Sequence, residues 1–457
     1  MANVVISGHL LLSKENSISA LAWLAIVWLV PVVGAVLYLL FGVNRIARRA
    51  RLLRGHDEQR VYSLELDEVG NESLPDGPQW AGLRRMLDAV TLLPLVGGNQ
   101  FSLLRDGNEA YPAMLNAIAQ AQYSIALTSY IFADDEWGWR FVDALAEAVE
   151  RGVEVRVLID GAGQYYGWPP VTRLLRRRGI RHALFLHSFL PWRMPYINLR
   201  NHRKLLLVDG RHGFTGGINI RAHHYGNPPK ARDLHFSVAG PVVSQMMMVF
   251  NEDWHFSTGE RLSGEHWFPA QPSVGNALAR GIPDGPDEDF DQFRWALHAG
   301  LGQARKSVMI MTPYFVPGDG LMTSLRHAAL RGIEVDLLLP KQNNWPFVSW
   351  AANTRLPRLL NAGVRVWHTP PPFDHSKLMV VDGQWVLLGS ANWDARSLRL
   401  NFEFNLEVYD ELLAADLLRH CEQLRQAASA MTVQMLDKRP LWAKLRDGAA
   451  NLLSPYL

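Results

Sequence analysis

Histidine and lysine recur two residues apart in a motif that occurs twice in this sequence. Side chains two residues apart on a strand point to the same face, so each copy presents an imidazole and an ammonium group together. The four apolar residues that follow are typical of a buried strand. Because the registers agree at every marked position, a chance match is implausible. The two copies read His202-Arg-Lys204-Leu-Leu-Leu-Val-Asp209 and His375-Ser-Lys377-Leu-Met-Val-Val-Asp382.

These residue types point to chemistry at a phosphate. Two lysine ammonium groups bring positive charge and hydrogen-bond donors to its oxygens. An imidazole titrates near neutral pH, so one histidine can attack phosphorus to give a phosphohistidine. The other can protonate the departing alcohol oxygen and later deprotonate an incoming hydroxyl. We expect no metal and no other cofactor, because the lysines supply the charge that Mg²⁺ would bring.

Polar residues downstream of each motif are expected to complete the site. A Gly-Gly or Gly-Ser pair follows each motif Asp at the same distance, and we expect it to let the backbone approach a ligand closely. Asp233 and Glu403, each about 30 residues beyond a motif histidine, are the candidates for carboxylates that orient the imidazoles. Asp209 and Asp382 belong to the catalytic motif, but we interpret them as buried strand-end residues that form salt bridges or cap turns. The candidates for hydrogen bonds to substrate are Asn219, Ser390 and Asn392.

A longer internal repeat contains the two motifs. The apolar segments 124–132 and 307–315 begin its copies, and each is followed by a helical segment and an Arg-Gly-x-Glu-Val sequence. Strand, helix, glycine turn and strand at this spacing indicate a βαβ unit. We therefore predict an α/β fold of two similar lobes, each a mixed, mostly parallel sheet flanked by helices. The active site is expected at their pseudo-twofold interface, and the Pro/Gly-rich residues 269–288 are expected to separate the lobes.

The N-terminus differs from the rest of the chain in its hydropathy. Residues 16–44 contain no charged side chain and are long enough to cross about 30 Å of hydrocarbon, so we predict one transmembrane helix there. Five arginines follow between 45 and 54, and the positive-inside rule then places the later residues in the cytoplasm. A buried helix of a soluble protein is the alternative. Residues 3–12 are too short to span and are expected at the interface.

Five segments follow from these patterns. The C-terminal segment either touches a membrane through Leu441, Leu445 and Leu452 or packs back on the second lobe. Residues 185–196 are rich in aromatic side chains and form either a membrane-dipping lid or a partly buried loop. The expected segments are a membrane anchor 1–44, a connector 45–95 with a short helix or two, a first lobe 96–262, a second lobe 263–425 and a C-terminal tail 426–457.

Composition excludes several classes of protein. A single cysteine, Cys421, excludes an internal disulfide framework and any metal site built from a cysteine cluster. A hydrophobic fraction of 48% excludes an intrinsically disordered chain. The formal net charge of +2 does not favour nucleic acid as a partner.

The doubled motif resembles that of the phospholipase D superfamily, and the sequence is similar to bacterial cardiolipin synthases of the membrane-anchored type. Such enzymes typically carry two N-terminal membrane helices, whereas this chain has room for one. The similarity extends over nearly the whole chain. It is carried by Ala20-Leu-Ala-Trp, Gly42-Val-Asn-Arg45, Asn201-His-Arg-Lys204, Asn392-Trp-Asp-Ala-Arg396-Ser and Leu453-Ser-Pro-Tyr-Leu457.

The resemblance implies transfer of a phosphatidyl group between two phosphatidylglycerol molecules, giving cardiolipin and glycerol. It implies that His202 is the nucleophile and His375 the acid–base. The expected partners are these lipids and the membrane, at the cytoplasmic side of a bacterial inner membrane, without nucleic acid; the oligomeric state leaves no signal. Hydrolysis to phosphatidic acid, transfer to another alcohol such as serine, and the chemistry of a nuclease or soluble phosphodiesterase stay open as alternatives. An inactive scaffold would be expected to have lost a motif residue, and all four histidines and lysines are present.

Overall fold

The computed structural model describes residues 2–13, 17–38, 78–186, 199–286 and 291–454. The described residues form two compact units, one at the N-terminus and one that begins with residue 78. The N-terminal unit consists of α1 (Ala2–Ser13), α2 (Ser17–Leu29) and α3 (Pro31–Leu37).

A proline divides the apolar N-terminal stretch. Because Pro31 has no N–H and its ring clashes with the preceding turn, α2 ends at Leu29 and α3 begins at Pro31. The two helices then pack closely, and a side chain at Gly34 would overlap the backbone of Ile26. The predicted single transmembrane helix is therefore not found as one element. None of the helices in the described residues is both long enough and apolar enough to cross a membrane.

The larger unit alternates strands and helices along most of its length. Its helices are α4 (Pro78–Val90), α5 (Asp106–Gln120), α6 (Glu136–Glu150), α7 (Thr172–Arg177), α8 (Val242–Thr258), α9 (Gln292–Gln303), α10 (Asp319–Leu330), α11 (Pro346–Asn353), α12 (Leu356–Leu360), α13 (Glu411–Gln426), α14 (Val433–Asp437) and α15 (Leu441–Leu452). Its strands are β1 (Val96–Arg105), β2 (Ser124–Ser129), β3 (Glu154–Asp160), β4 (His182–Phe185), β5 (Arg200–Asn201), β6 (Leu205–Val208), β7 (His212–Gly216), β8 (Ala231–Arg232), β9 (Leu234–Ala239), β10 (Ala277–Asp284), β11 (Ser307–Met311), β12 (Glu334–Pro340), β13 (Arg365–Thr369), β14 (Phe373–Asp374), β15 (Leu378–Val381), β16 (Trp385–Gly389), β17 (Asn401–Tyr409) and β18 (Ser429–Ala430).

One continuous sheet runs through this unit, and its two halves share a strand order. From the centre outward the first half reads β1-β9-β7-β6-β2-β3-β4, and the second reads β10-β17-β16-β15-β11-β12-β13. The antiparallel pair of β1 and β10 joins them. The motif strands β6 and β15 therefore occupy equivalent positions on either side of the centre.

The sheet is mixed, but it is mostly antiparallel, so the prediction of a mostly parallel sheet was wrong. The parallel pairs along its path are β2–β3–β4 and β11–β12–β13 in the described residues. Each motif strand is followed by a three-residue turn, at 209–211 and 382–384, and then by the next strand of a hairpin. A connection this short can only join antiparallel strands, and the parallel βαβ pattern therefore stops at the motif strand.

Within the separator predicted at 269–288, residues 277–286 are buried. The separator contains β10, which is buried along its whole length between β1 and β17. Arg280 in this strand is fully buried against the carboxylates of Glu407 and Asp88. These ion pairs compensate the charge of Arg280, which allows an arginine to lie in a central strand of the sheet.

The end of the predicted connector is also structured. In α4, the side chains of Trp80, Leu83 and Leu87 are fully buried in the core of the second half, where α4 packs against α9. Residues 45–77, with the five arginines, lie outside the described residues, as do residues 187–198 of the aromatic-rich segment. The limits 96–262 and 263–425 for the two lobes stay predictions.

Candidate active site

Each motif histidine follows a two-residue strand that crosses to the other half of the sheet. β5 pairs in parallel with the start of β17, and the His202 amide donates to the Phe402 carbonyl at 2.8 Å. β14 pairs in parallel with β8, and the His375 amide donates to the Arg232 carbonyl at 2.8 Å. The backbone that carries each histidine is thus held by the opposite half.

Carboxylates orient both imidazoles, and the pairing crosses between the halves. Nδ1 of His202 lies 2.9 Å from Oε2 of Glu403, and Nδ1 of His375 lies 2.8 Å from Oδ2 of Asp233. Spacing within the repeats identified both carboxylates but did not reveal that each one serves the histidine of the other repeat. A carboxylate at Nδ1 favours the tautomer with the proton there, which leaves the lone pair on Nε2.

The two lysines are buried beside the backbone of their own motifs. Nζ of Lys204 donates to the His202 carbonyl at 2.6 Å, and Nζ of Lys377 donates to the His375 carbonyl and lies 2.9 Å from its Nδ1. Burial lowers the pKa of Lys204 to about 7 and that of Lys377 to about 8, against the opposing effect of nearby carboxylates. A phosphate anion between them would favour their charged forms.

The pKa values of both imidazoles are lowered, which favours their neutral forms. Burial lowers the pKa of His202, although the Glu403 carboxylate opposes the shift. Burial, reinforced by the ammonium groups of Lys377 and Lys204, holds the pKa of His375 well below its usual value. A neutral imidazole with a carboxylate on Nδ1 has the lone pair that nucleophilic attack requires.

The two orienting carboxylates differ in their ionisation. Burial would raise the pKa of Glu403, but His202 and the other donors around it more than compensate, and its pKa is lowered. Burial raises the pKa of Asp233, although Lys377 and a backbone hydrogen bond oppose it. Glu403 is therefore the more firmly ionised of the two.

The small residues after each motif make room for these carboxylates. A side chain at Gly217 would overlap the carboxylate of Asp233, and Ser390 at the equivalent position donates to Oε2 of Glu403 at 2.6 Å. Gly389 has a φ of 153°, and a side chain there would overlap the carbonyl of Phe404 in β17. The close approach expected at these residues is thus made by the neighbouring strand and its carboxylate.

The three residues expected to bind substrate differ in their present contacts. Oδ1 of Asn219 accepts from the Ile131 amide at 3.0 Å, and the Ser390 hydroxyl is engaged with Glu403. Asn392 is buried, and its Oδ1 has no hydrogen-bond partner in the part of the chain that the structure describes. Of the three, Asn392 has the side-chain oxygen still available to a ligand.

The motif aspartates close turns. The Asp209 carboxylate accepts from the amides of residues 122–124, and the Asp382 carboxylate accepts from those of residues 305–307. Both residues have a φ of 53° and are half-buried. These contacts correspond to the turn-capping role that we inferred for them.

Sequence reasoning missed the tyrosines beside the histidines. The ring of Tyr130 stands edge-on to His202 with centroids 5.1 Å apart, and that of Tyr314 stands edge-on to His375 at 5.9 Å. Both tyrosines follow a repeated strand, which was a usable signal. They are offset by one residue between the copies, so alignment of the repeats alone does not pair them.

The residue between the first histidine and lysine is structural and was also missed. Arg203 is fully buried, its guanidinium lies 2.8 Å from the Asp253 carboxylate, and its Nε donates to the Glu403 carbonyl at 2.9 Å. A charged residue inside an apolar run is the signal that such a partner exists. No group of three or more His, Cys, Asp or Glu side chains that could hold a metal ion occurs among the described residues.

Comparison with known proteins gives a consistent result. The family model described as cardiolipin synthase, phospholipase D-like domain, matches residues 114–254 and 297–425, and the phospholipase D-nuclease N-terminal model matches residues 1–42. A cardiolipin synthase of Geobacillus kaustophilus is 33% identical over 467 aligned residues, which cover 100% of this chain and 93% of that protein. A cardiolipin synthase of Staphylococcus aureus is 32% identical, with coverage of 98% and 93%.

A solved structure shares the fold. The phosphatidylserine synthase of Haemophilus influenzae superposes with a TM-score of 0.64 and covers 82% of this chain and 99% of its own. At 16% sequence identity this likeness concerns the fold alone.

Proposed function

Because the chain belongs to the family of phospholipase D-like cardiolipin synthases, we propose that it transfers a phosphatidyl group from one phosphatidylglycerol to the terminal glycerol hydroxyl of another. The products are cardiolipin and free glycerol. One observation carries the proposal: two buried imidazoles, each with a buried carboxylate on Nδ1 and a buried lysine beside it, held from opposite halves of one sheet. This set provides a nucleophile, an acid–base and charge for one phosphodiester.

In the first step, Nε2 of His202 attacks phosphorus and the bond from phosphorus to the glycerol oxygen breaks. The leaving oxygen takes a proton from the His375 imidazolium, so that glycerol departs and a phosphohistidine remains. The anionic phosphodiester favours this imidazolium. The ammonium groups of Lys204 and Lys377 stabilise the charge on the phosphoryl oxygens.

The second step reverses the first with another alcohol. His375, now neutral, takes the proton from the hydroxyl of the second phosphatidylglycerol. That oxygen attacks phosphorus, and the bond between phosphorus and Nε2 of His202 breaks. One phosphodiester replaces another, so the exchange is nearly isoenergetic and needs no nucleotide.

The choice of His202 as nucleophile is supported by its carboxylate. The pKa of Glu403 is lowered and that of Asp233 is raised, so His202 has the more firmly ionised partner at Nδ1. An ionised partner stabilises the positive charge that develops on the attacking imidazole.

We also place the enzyme at the bacterial inner membrane, with the catalytic residues on the cytoplasmic side. The uncharged stretch 16–44 and the five arginines of 45–54 support this orientation. Labelling of a cysteine introduced at Leu330, which is 71% exposed, tests the sidedness in intact spheroplasts. A membrane-impermeant maleimide should react only after lysis, and reaction in intact cells would reverse the orientation.

Product analysis of purified full-length protein tests the activity. With phosphatidylglycerol as the only lipid in detergent, we expect equal amounts of cardiolipin and glycerol. His212→Ala, a change at an exposed histidine of β7, is the control that should keep this activity. Phosphatidic acid as the only product would identify a hydrolase. Product formed only after another alcohol such as serine is added would identify a different phosphatidyltransferase.

A further inference from the structure

The last helix exposes its large apolar side chains, whereas an ordinary surface helix buries them. α15 buries the small or polar side chains of Ala443, Asp447 and Ala450 against the second half. Its large apolar side chains face outward instead. Those outward residues, which are between 64% and 78% exposed, are Leu441, Trp442, Leu445 and Leu452. An apolar stripe at this spacing normally packs against a core. Its exposure therefore indicates a surface that binds an apolar partner.

The exposed stripe continues onto α11, against which α15 packs. Trp345 and Phe347 at the start of α11 are both about half exposed. Trp350 in the same helix lies under the Arg446 guanidinium, 4.2 Å from the ring centroid. We refer to Trp345, Phe347, Leu441, Trp442, Leu445 and Leu452 as the apolar face.

This face lies beside the candidate active site. The Tyr314 ring contacts the His375 ring, and its hydroxyl donates to Oδ1 of Asn344 at 2.7 Å. Asn344 directly precedes Trp345, the first residue of the apolar face. Two contacts and one peptide bond thus connect the acid–base histidine with the exposed aromatic side chains.

The first half presents aromatic residues at the equivalent edge. The Tyr130 ring, which contacts His202, also contacts the ring of Tyr166, and the exposed Trp168 follows two residues later. Tyr166 is 51% exposed and Trp168 is 77% exposed, so the first half also has exposed aromatic side chains close to its motif histidine. Exposed aromatic side chains near both motif histidines are typical of a surface that contacts lipid headgroups.

Basic side chains accompany the apolar face. A cavity of about 240 Å³ lies between α11 and the C-terminal residues, lined among others by Lys341, His368, Arg439 and Arg446. The one acidic residue of α15, Asp447, is buried and paired with Arg446 of the same helix and with Arg439, which precedes the helix. The exposed charge of this helix is therefore positive. Apolar and cationic groups on one surface complement an anionic bilayer.

We propose that the apolar face docks on an anionic phospholipid bilayer and holds the two histidines at the lipid surface. The role deepens the proposed function and rests on it in one respect, that the substrates are bilayer lipids. Docked in this way, a lipid headgroup reaches the site past Tyr166 and Tyr314 while its acyl chains stay in the bilayer. The face then supplies substrate access, separately from any anchoring by the N-terminus.

A depth measurement tests the contact without requiring turnover. Full-length Leu441→Cys and Leu330→Cys carry a fluorophore at sites that are each 71% exposed, and the native Cys421 is buried and serves as background in the unsubstituted chain. In phosphatidylglycerol vesicles that contain nitroxide-labelled lipid, quenching at residue 441 should exceed that at residue 330 by about threefold or more. Equal quenching at the two sites would overturn the proposal. Self-quenching of the fluorophore at residue 441 that increases with protein concentration in detergent would instead show that the face is a contact between copies of the chain. That result would also overturn the proposal.

An activity measurement tests the consequence. We expect Leu441→Asp/Leu445→Asp to lower turnover on vesicles about tenfold, and to stay within about twofold of the unsubstituted chain on monomeric short-chain phosphatidylglycerol. The control Leu330→Asp/Leu412→Asp, at exposed leucines away from the face, should keep both activities. Equal loss on both substrates would show that the face acts on the site itself and would overturn docking. Absence of cardiolipin with the unsubstituted chain would refute the proposed function, while the quenching result would still decide the contact.

Discussion

At the scale of single residues, the two motif histidines should fail differently when they are replaced. His202→Ala should abolish turnover and any covalent phosphoryl-enzyme, because it removes the imidazole that we propose to attack phosphorus. His375→Asn should stop turnover with phosphatidylglycerol, yet a phosphatidyl ester of p-nitrophenol should still label His202, because that leaving group needs no proton. Each loss should be about 10³-fold or more and the double variant no worse, since both imidazoles serve one reaction. Acid-labile label on His375 would reverse the assignment of the two roles.

The crossed pairing of carboxylates gives a second prediction at this scale. With the p-nitrophenol ester, Glu403→Gln should slow formation of the phosphohistidine about 10- to 100-fold, because it removes the charge beside the attacking His202. Asp233→Asn should leave this step within about threefold, since its partner His375 is not needed as an acid there. Stopped-flow release of p-nitrophenol measures both rates. The opposite order of effects would indicate that His375 is the nucleophile.

Titration of the buried lysines gives a third prediction. The pKa values of Lys204 and Lys377, about 7 and about 8, mean that their positive charge is present at lower pH and is lost as the pH rises. With the p-nitrophenol ester, whose leaving group needs no proton from His375, kcat/KM should therefore fall between pH 7 and 9, approaching about tenfold per pH unit for each lysine. The fall in kcat should be smaller, because bound phosphate favours the ammonium form. A kcat/KM that stays constant to pH 9.5 would show that both lysines remain charged.

At the scale of elements, the sequence was informative where the pattern is local and uninformative where partners are distant. The two βαβ units were predicted because strand, helix and glycine turn follow one another in the chain. The hairpin after each motif strand was missed because a three-residue turn was overlooked beside two conspicuous motifs. β10 was missed because its burial depends on Glu407, more than 100 residues away, which neutralises Arg280.

The same contrast between local patterns and distant partners applies to the candidate active site. His202, Lys204 and their counterparts were identified by residue type and spacing alone. The contact of each histidine with the opposite half was not, because it requires β5 to reach β17 and β14 to reach β8 across the sheet. A strand of two residues is too short to show an alternating pattern of apolar and polar side chains, so the sequence does not predict it.

Helix α4 provides a test at the element scale. Leu87→Ala should lower the free energy of unfolding by about 2–5 kcal/mol, because Leu87 is fully buried in the core of the second half. The Tm of the purified full-length protein should fall by about 5 °C or more. Leu92→Ala, the same change at a side chain that is 60% exposed, is the matched control and should shift the Tm by about 1 °C or less. Equal shifts would indicate that α4 is a loosely attached connector after all.

At the scale of the whole molecule, the crossed contacts make the two halves of the sheet interdependent. His202 depends on Glu403 of the second half, and His375 depends on Asp233 of the first, so neither half contains a complete set of oriented groups. The strand order repeats about the β1–β10 pair, which brings the two motif strands to equivalent distances from the centre. An insertion that separates the halves should therefore cost both histidines their orientation at once.

The described residues that form the site all follow residue 78, so the proposed chemistry does not depend on the anchor that we propose for residues 1–44. A 45–457 fragment should therefore keep its turnover on monomeric phosphatidylglycerol and lose stable attachment to vesicles. Residual binding to anionic vesicles should be weaker and in large part salt-sensitive, because each basic side chain near the surface contributes about 1 kcal/mol that salt screens, whereas only the contribution of the apolar face persists at high salt. Flotation of the fragment and the full chain, at low and high salt and on neutral or anionic vesicles, measures these differences. Full-strength, salt-insensitive binding of the fragment would show that residues 1–44 are not the main anchor, and would leave that role to the catalytic unit and its apolar face.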